Sequence, residues 1–304
     1  MMLYKTLLLV AVNFIAAVTY PLGKLSFNYA NPFFITGIRM VIAGILLTAF
    51  SYLYFGFRFK INKSFIVLFC ALAFLNVFFT NALQFWALDH TSSNKAIMIF
   101  NMSPFIAAIF SYFLYGEKMT LKKMFALIIA FGGFLPILIF TPDRASPAFI
   151  PAISSAELAL LIAAVASVMG WLIMKKIIET SRCSILMANG LSMIAGGLLF
   201  FPLSWYTEGP AWYTISNFYM VTVLTLVLII ANNIINYNAY AYFLKYLSAT
   251  FLFLLSFSGP LFALFFGWLF LRETISLSFI ISIIIVGIGL FMYYQEEKKI
   301  ERIE

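Results

Sequence analysis

Residues 64–88 read SFIVLFCALAFLNVFFTNALQFWAL, and residues 217–243 read NFYMVTVLTLVLIIANNIINYNAYAYF. Neither run carries a charged side chain, and each is long enough to cross a bilayer as a helix, which takes about 20 residues. A barrel strand would be about 10 residues of alternating polarity, whereas these runs are continuous and longer. The polar residues inside them repeat. Asn76, Thr80 and Gln84 stand at i, i+4 and i+8, one face of a helix, and Asn232, Asn236 and Tyr240 stand at the same spacing. A shift of 156 residues lays one triplet on the other.

The same shift brings Ser103-Pro104 onto Gly259-Pro260, Gly116-Glu117 onto Arg272-Glu273, and Gly133 onto Gly289. Pro and Glu are scarce in so apolar a chain, so this spacing marks an internal repeat. Working outward, ten apolar segments are read, at about 3–23, 33–55, 64–88, 93–115, 122–140, 157–174, 184–204, 217–243, 249–270 and 276–294. The expected fold is an all-α integral membrane protein of ten transmembrane helices in two five-helix repeats. The first repeat is 1–146. The second is 147–304 and ends in a short cytoplasmic tail. Pro142, Pro147 and Pro151 lie in the connection between them. Five is odd, so the second repeat enters the membrane from the opposite side, as in the inverted repeats of secondary transporters.

Composition agrees. Of 304 residues, 64% are hydrophobic and 10% charged, against about 45–50% and about 25% in soluble domains. A soluble domain, a disordered chain, a coiled coil and a nucleic-acid binder are excluded. The formal charge of +8 reflects topology. With the N-terminus inside, Lys5, Arg58, Lys60, Lys63, Lys118, Lys122, Lys123, Lys175, Lys176, Arg182, Lys245, Lys298, Lys299 and Arg302 fall inside, against Lys24, Lys95, Arg144 and Arg272 outside. Both termini are therefore expected in the cytoplasm. The apolar N-terminus reads as a first span rather than a signal peptide. Cys70 and Cys183 make no disulfide framework.

Several motifs recur in order over the two halves. Pro32 is followed by Arg39 in NPFFITGIR. Ser103-Pro104 lies in the fourth helix. Gly116-Glu117 runs into Gly132-Gly133, and Arg272-Glu273 into Gly287 and Gly289. From about residue 5 to 294 the chain resembles the drug/metabolite transporter superfamily, in its ten-helix EamA form. It departs from that pattern at 184–197, which has neither the Pro nor the Arg. The resemblance implies a carrier of small organic solutes such as amino acids, their derivatives, nucleotide-linked metabolites or drugs. Related members carry S-adenosylmethionine, whose sulfonium suits aromatic faces. The expected location is the bacterial cytoplasmic (inner) membrane.

Polar side chains at mid-depth turn inward or meet partners. The two triplets are expected to face each other across a central cavity, with Asn81, Asn233 and Tyr237 extending them sideways. The competing reading is that the amides join helices, at about 0.6 kcal/mol per contact. Tyr20 and Trp171 stand late in the first helix of each repeat, where they would stack on a solute or sit in an interfacial belt. Asn13 and Asn101 are further polar residues inside apolar runs. Asn101 precedes Pro104 by three residues, where a helix break would expose carbonyls or permit a kink. Arg39 and Lys24 are placed near the outer surface, and snorkelling is preferred for them over pairing with a solute carboxylate. Glu117 and Glu273 are read as capping the next helix. Gly132-Gly133 and Gly196-Gly197 are read as close helix contacts.

No acidic residue stands in the middle of a span, which favours facilitated diffusion or exchange over proton coupling. No phosphate-binding loop is present, so ATP is not expected to drive the protein. Asp89 and Asp143 lie at loop positions and His90 is the only histidine, so no catalytic residue, metal site or cofactor is expected. The leading reading is an alternating-access carrier of an amino acid or amino-acid-derived solute, S-adenosylmethionine among them. Its partners would be the small organic solute and the lipid bilayer, and the protein would be a monomer or weak homodimer. An amide-lined channel and an intramembrane enzyme are the alternatives.

Overall fold

The computed structural model describes residues 2–56, 62–90, 99–100, 102–133, 135, 154–181, 183–210, 215–259, 261–262, 265–266 and 277–301. Among them there is no strand. In chain order the helices are α1 (Met2–Ala17), α2 (Thr19–Phe27), α3 (Pro32–Phe55), α4 (Lys63–Leu72), α5 (Thr80–His90), α6 (Ser103–Tyr115), α7 (Leu121–Gly132), α8 (Ser155–Thr180), α9 (Ile185–Leu198), α10 (Phe200–Glu208), α11 (Phe218–Leu228), α12 (Tyr237–Phe243), α13 (Ala249–Leu255) and α14 (Leu277–Glu301). A π-helical segment, Ala73–Phe79, joins α4 to α5, and a second, Ile229–Asn236, joins α11 to α12. Each of the ten expected apolar segments contains helix. Six helical runs among the described residues are long and apolar enough to cross a membrane, and α1 and α6 are shorter apolar helices.

The helix starts follow local chemistry. Asn62 accepts from the Phe65 N–H, Thr120 from Lys123, Ser184 from Met187, Asn217 from Met220 and Ser248 from Phe251. Each satisfies one N-terminal donor that the helix itself leaves open. α3 instead opens on Pro32, whose missing N–H costs nothing at that position.

The helices form two compact units. One comprises Met1–Ala17, Trp86–Val165 and Leu247–Glu304, and the other Val18–Phe85 and Ala166–Tyr246. Each draws on both halves of the sequence, so a repeat in sequence is not a packing unit in space.

In the first unit α14 runs along α7. A Cβ on Gly289 would lie 2.5 Å from the Ala130 backbone nitrogen, and one on Gly133 would lie 2.8 Å from that of Val286. The two glycines thus set how closely these helices approach. Gly132 faces open space, so only one of the expected pair makes a close contact. Nearby, buried Lys123 is ion-paired with Glu297, and its ammonium lies 5.4 Å from the Tyr293 ring centre. Glu117 does cap a helix, but not the next one. Its carboxylate accepts from the Ala249 N–H at 3.1 Å and the Thr250 hydroxyl at 3.3 Å, at the start of α13. α7, which follows Glu117 in sequence, is capped by Thr120. Tertiary packing brings the positive end of α13 to this carboxylate.

In the second unit α3 packs along α9. A Cβ on Gly44 would stand 2.6 Å from the Gly190 carbonyl oxygen, and one on Gly197 would stand 2.9 Å from Met40 Cβ. Gly196 faces the first π-helical segment instead, with a Cβ placed 2.6 Å from the Ala73 carbonyl oxygen. Both members of that pair are therefore contact glycines. Met40, Ala43, Leu47, Val77, Met193 and Ile229 form the buried cluster beside this seam. At its end Glu208 accepts from the Phe33 and Phe34 N–H groups at 2.8 and 3.3 Å and from the Ser204 hydroxyl at 2.6 Å.

Replacing Gly44 or Gly289 by Val is expected to force backbones apart and lower stability by about 1–3 kcal/mol each. Gly132→Ala is expected to be close to neutral. Thermal unfolding of the three variants in detergent measures this, and equal midpoints would refute the seam assignment.

Candidate functional site

The two π-helical segments stand at matching places in the repeats. Shifted by 156 residues, Ala73 falls on Ile229 and Asn76 on Asn232. A π turn bonds i to i+5 and is frequent at functional sites. Here the Thr80 N–H bonds the Leu75 carbonyl, and the Tyr237 N–H bonds that of Asn232. Carbonyls loosened by the wider turn are met by side chains. Thr80 donates its hydroxyl to the Leu75 carbonyl at 2.7 Å, Asn81 its amide to Val77 at 2.7 Å, and Asn238 its amide to Ile234 at 2.8 Å. These donors add side-chain hydrogen bonds to the turns, where hydrocarbon offers none. Asn238 also accepts from the Asn189 amide at 2.9 Å, which ties α9 to α12. Asn189 and Asn238 did not stand out in the sequence, because Asn238 is one place out of register with Asn81 under the repeat.

The residues around these turns form a cluster within the second unit. Asn76 is buried against α8, where Gly170 makes room: a Cβ there would lie 2.5 Å from Asn76 Cβ. The next residue, Trp171, has its ring centre 5.4 Å from Tyr237 and 5.3 Å from Tyr240. Trp171 and Tyr240 are buried and Tyr237 is half-buried. The Tyr237 side chain lies near that of Asn81, so a residue of the third expected span comes close to one of the eighth. Asn236 donates to Asn232 at 3.1 Å, and its own buried Oδ1 has no partner. Gln84 is half-buried on α5.

Other expected site residues lie elsewhere. Asn233 is 0% exposed and aims its Nδ2 at the Met40 sulfur, 3.0 Å away, with its Oδ1 unpartnered. Asn13 belongs to the first unit and donates to the Leu255 carbonyl at 2.9 Å and the Ser258 hydroxyl at 3.1 Å. The Tyr20 side chain and residue Asn101 lie outside the described residues.

Arg39 is not at the surface. It is 7% exposed, its Nε has no hydrogen-bond partner, and it lies within electrostatic reach of Tyr237. Snorkelling is overturned because α9, α10 and the second π segment also pack against α3. Elsewhere on this unit an apolar groove of about 250 Å³ is lined by Phe34, Ile38, Ile42, Phe218, Val221 and Leu226. Such a lining suits an acyl chain better than a polar solute.

Asn233→Leu removes a buried carbonyl that lacks a partner. The variant is expected to unfold at the same temperature as the parent, or higher, with solute binding retained. Loss of binding would place the Asn233 amide in the solute site.

Comparison with known proteins gives the cluster its context. The EamA-like transporter family matches the chain twice, at residues 3–139 and 154–295. An S-adenosylmethionine/S-adenosylhomocysteine transporter of Chlamydia muridarum is 32% identical over 93% of this chain and 89% of its own length. A protein of the same description from Chlamydia trachomatis serovar L2 is 30% identical over 93% and 87%. A solved crystal structure superposes with a TM-score of 0.77 at 16% identity, over 97% of this chain and 98% of that one, and so shares the fold. With two matches that together span most of its length, the chain is an integral membrane protein of the EamA-like transporter family within the drug/metabolite transporter superfamily, a carrier of small metabolites and not an enzyme.

Proposed function

We propose that this transporter carries S-adenosylmethionine and S-adenosylhomocysteine, bound at the cluster of Asn76, Asn81, Trp171, Tyr237 and Tyr240. The observation that carries the reading is near-full-length similarity to chlamydial proteins of that description. The chemistry of the cluster supports it. An adenine ring stacks on aromatic faces, at about 1–3 kcal/mol per base. A sulfonium is a cation with little hydration to lose, and Trp is the best aromatic partner for such a charge. Neutral amides suit the ribose hydroxyls and the zwitterionic end, since they donate and accept at the same site.

Transport proceeds by alternating access, as facilitated diffusion or exchange of the two adenosyl compounds, without ATP. The protein works as a monomer or weak homodimer in the bacterial cytoplasmic membrane with both termini inside. The π turns at matching places in the two repeats support this reading, since π turns are frequent at functional sites.

Proteoliposomes loaded with S-adenosylhomocysteine are expected to accumulate labelled S-adenosylmethionine by counterflow that saturates. Flux without saturation or counterflow would instead indicate an amide-lined channel, and absence of any labelled uptake would reject the substrate assignment. Trp171→Ala is expected to weaken S-adenosylmethionine binding about tenfold. S-adenosylhomocysteine, which lacks the positive sulfur, should lose less. Equal losses for the two ligands would mean that Trp171 only packs.

A further inference from the structure

Arg39 is a buried cation in search of a partner. A guanidinium stays protonated in proteins, and burying it without a counter-charge is costly. The stretches of chain in the second unit contain two carboxylates, Glu179 and Glu208. Glu179 is exposed near the end of α8. Glu208 is spent on the two N–H groups at the start of α3 and on Ser204. Among the described residues no side chain forms an ion pair or hydrogen bond with Arg39, and its Nε is buried without a partner. Tyr237 packs against the buried cluster that contains Met40, the residue after Arg39, lies within electrostatic reach of Arg39, and has its ring centre 5.4 Å from that of Trp171. One tyrosine therefore links the aromatic and cationic parts of the cluster.

From this we infer that Arg39 binds the α-carboxylate of the transported solute, with the substrate supplying the counter-charge that the protein withholds. The inference rests on the S-adenosyl reading above for the identity of the solute. A planar guanidinium matches a carboxylate by two parallel hydrogen bonds. It does so more specifically than Lys, whose ammonium is a point charge. On this inference the carboxylate is held by Arg39, and the sulfonium is left to the aromatic faces of Trp171 and Tyr237. It also accounts for the absence of an acidic partner for Arg39 among the described residues. A fixed carboxylate would neutralise Arg39 and compete with the solute.

The test compares S-adenosylmethionine with decarboxylated S-adenosylmethionine, which keeps the adenosine, sulfonium and amine and lacks only the carboxylate. Binding is measured by competition for labelled S-adenosylmethionine in proteoliposomes. The parent protein is expected to prefer the carboxylated compound by about tenfold or more. In Arg39→Gln that preference should vanish, through weaker binding of S-adenosylmethionine alone, while Arg39→Lys keeps part of it. Unliganded Arg39→Gln should be at least as heat-stable as the parent, since a buried unpaired charge has been removed. If Arg39→Gln does not fold, the inference is overturned, because Arg39 would then be holding the structure. It is equally overturned if the variant binds both compounds as the parent does or loses both alike. A parent protein that binds the two compounds equally would overturn the inference while leaving the S-adenosyl reading in place. One that binds neither would reject that reading and this inference with it.

Discussion

Hydrocarbon offers a peptide group no hydrogen bond, so every departure from regular helix within a span must be compensated from inside the protein. That constraint organises the second unit. Two π turns slip the backbone register at matching positions of the repeat. Thr80, Asn81 and Asn238 donate to the carbonyls of the loosened turns. The amides that mark the two halves in the sequence are thus partly structural. Trp171, Tyr237 and Tyr240 gather beside the same turns, with ring centres 5.3 to 5.4 Å apart across α8 and α12.

Close helix contact is the second requirement. Gly44, Gly190, Gly196 and Gly197 let α3, α9 and the first π segment approach to backbone distance, and Gly170 does the same for α8 against Asn76. Without an apolar driving force between helices in lipid, such packing supplies much of the association energy. It also controls depth of burial. Arg39 is buried because the elements around α3 lie close, and the carboxylate of the proposed solute would offset the cost of that buried charge. A site whose missing charge came from its substrate would be selective by construction, since an analogue lacking the carboxylate would leave Arg39 unpaired.

Much of this was legible in the chain. The ten apolar segments, the repeat and the family resemblance follow from hydropathy and from a few Pro, Glu and Gly residues at fixed offsets. Polar and aromatic residues stand out in such spans, so Asn76, Asn81, Trp171, Tyr237 and Tyr240, which the structure gathers around the π turns, are all legible as candidates. The faces assigned to them were less secure. Spacing of i and i+4 defines one face only if the helix is α throughout, and the π turns break that premise. Thr80 folds back onto its own backbone and Asn233 turns into a methionine-lined core. Arg39 was misplaced for a different reason: a long cationic side chain near a helix start snorkels unless other helices cover it, and local sequence does not say which do.

By itself, then, the sequence determined the membrane solvent, the helical kind of the spans and the doubled architecture. These follow from local hydrophobicity summed along the chain. Only tertiary structure decided that Glu117 caps α13 rather than α7, that two turns slip register, and that the Arg39 guanidinium lies buried under the elements packed on α3. Each of those depends on residues far apart in sequence reaching hydrogen-bond or van der Waals distance, and no local pattern encodes that.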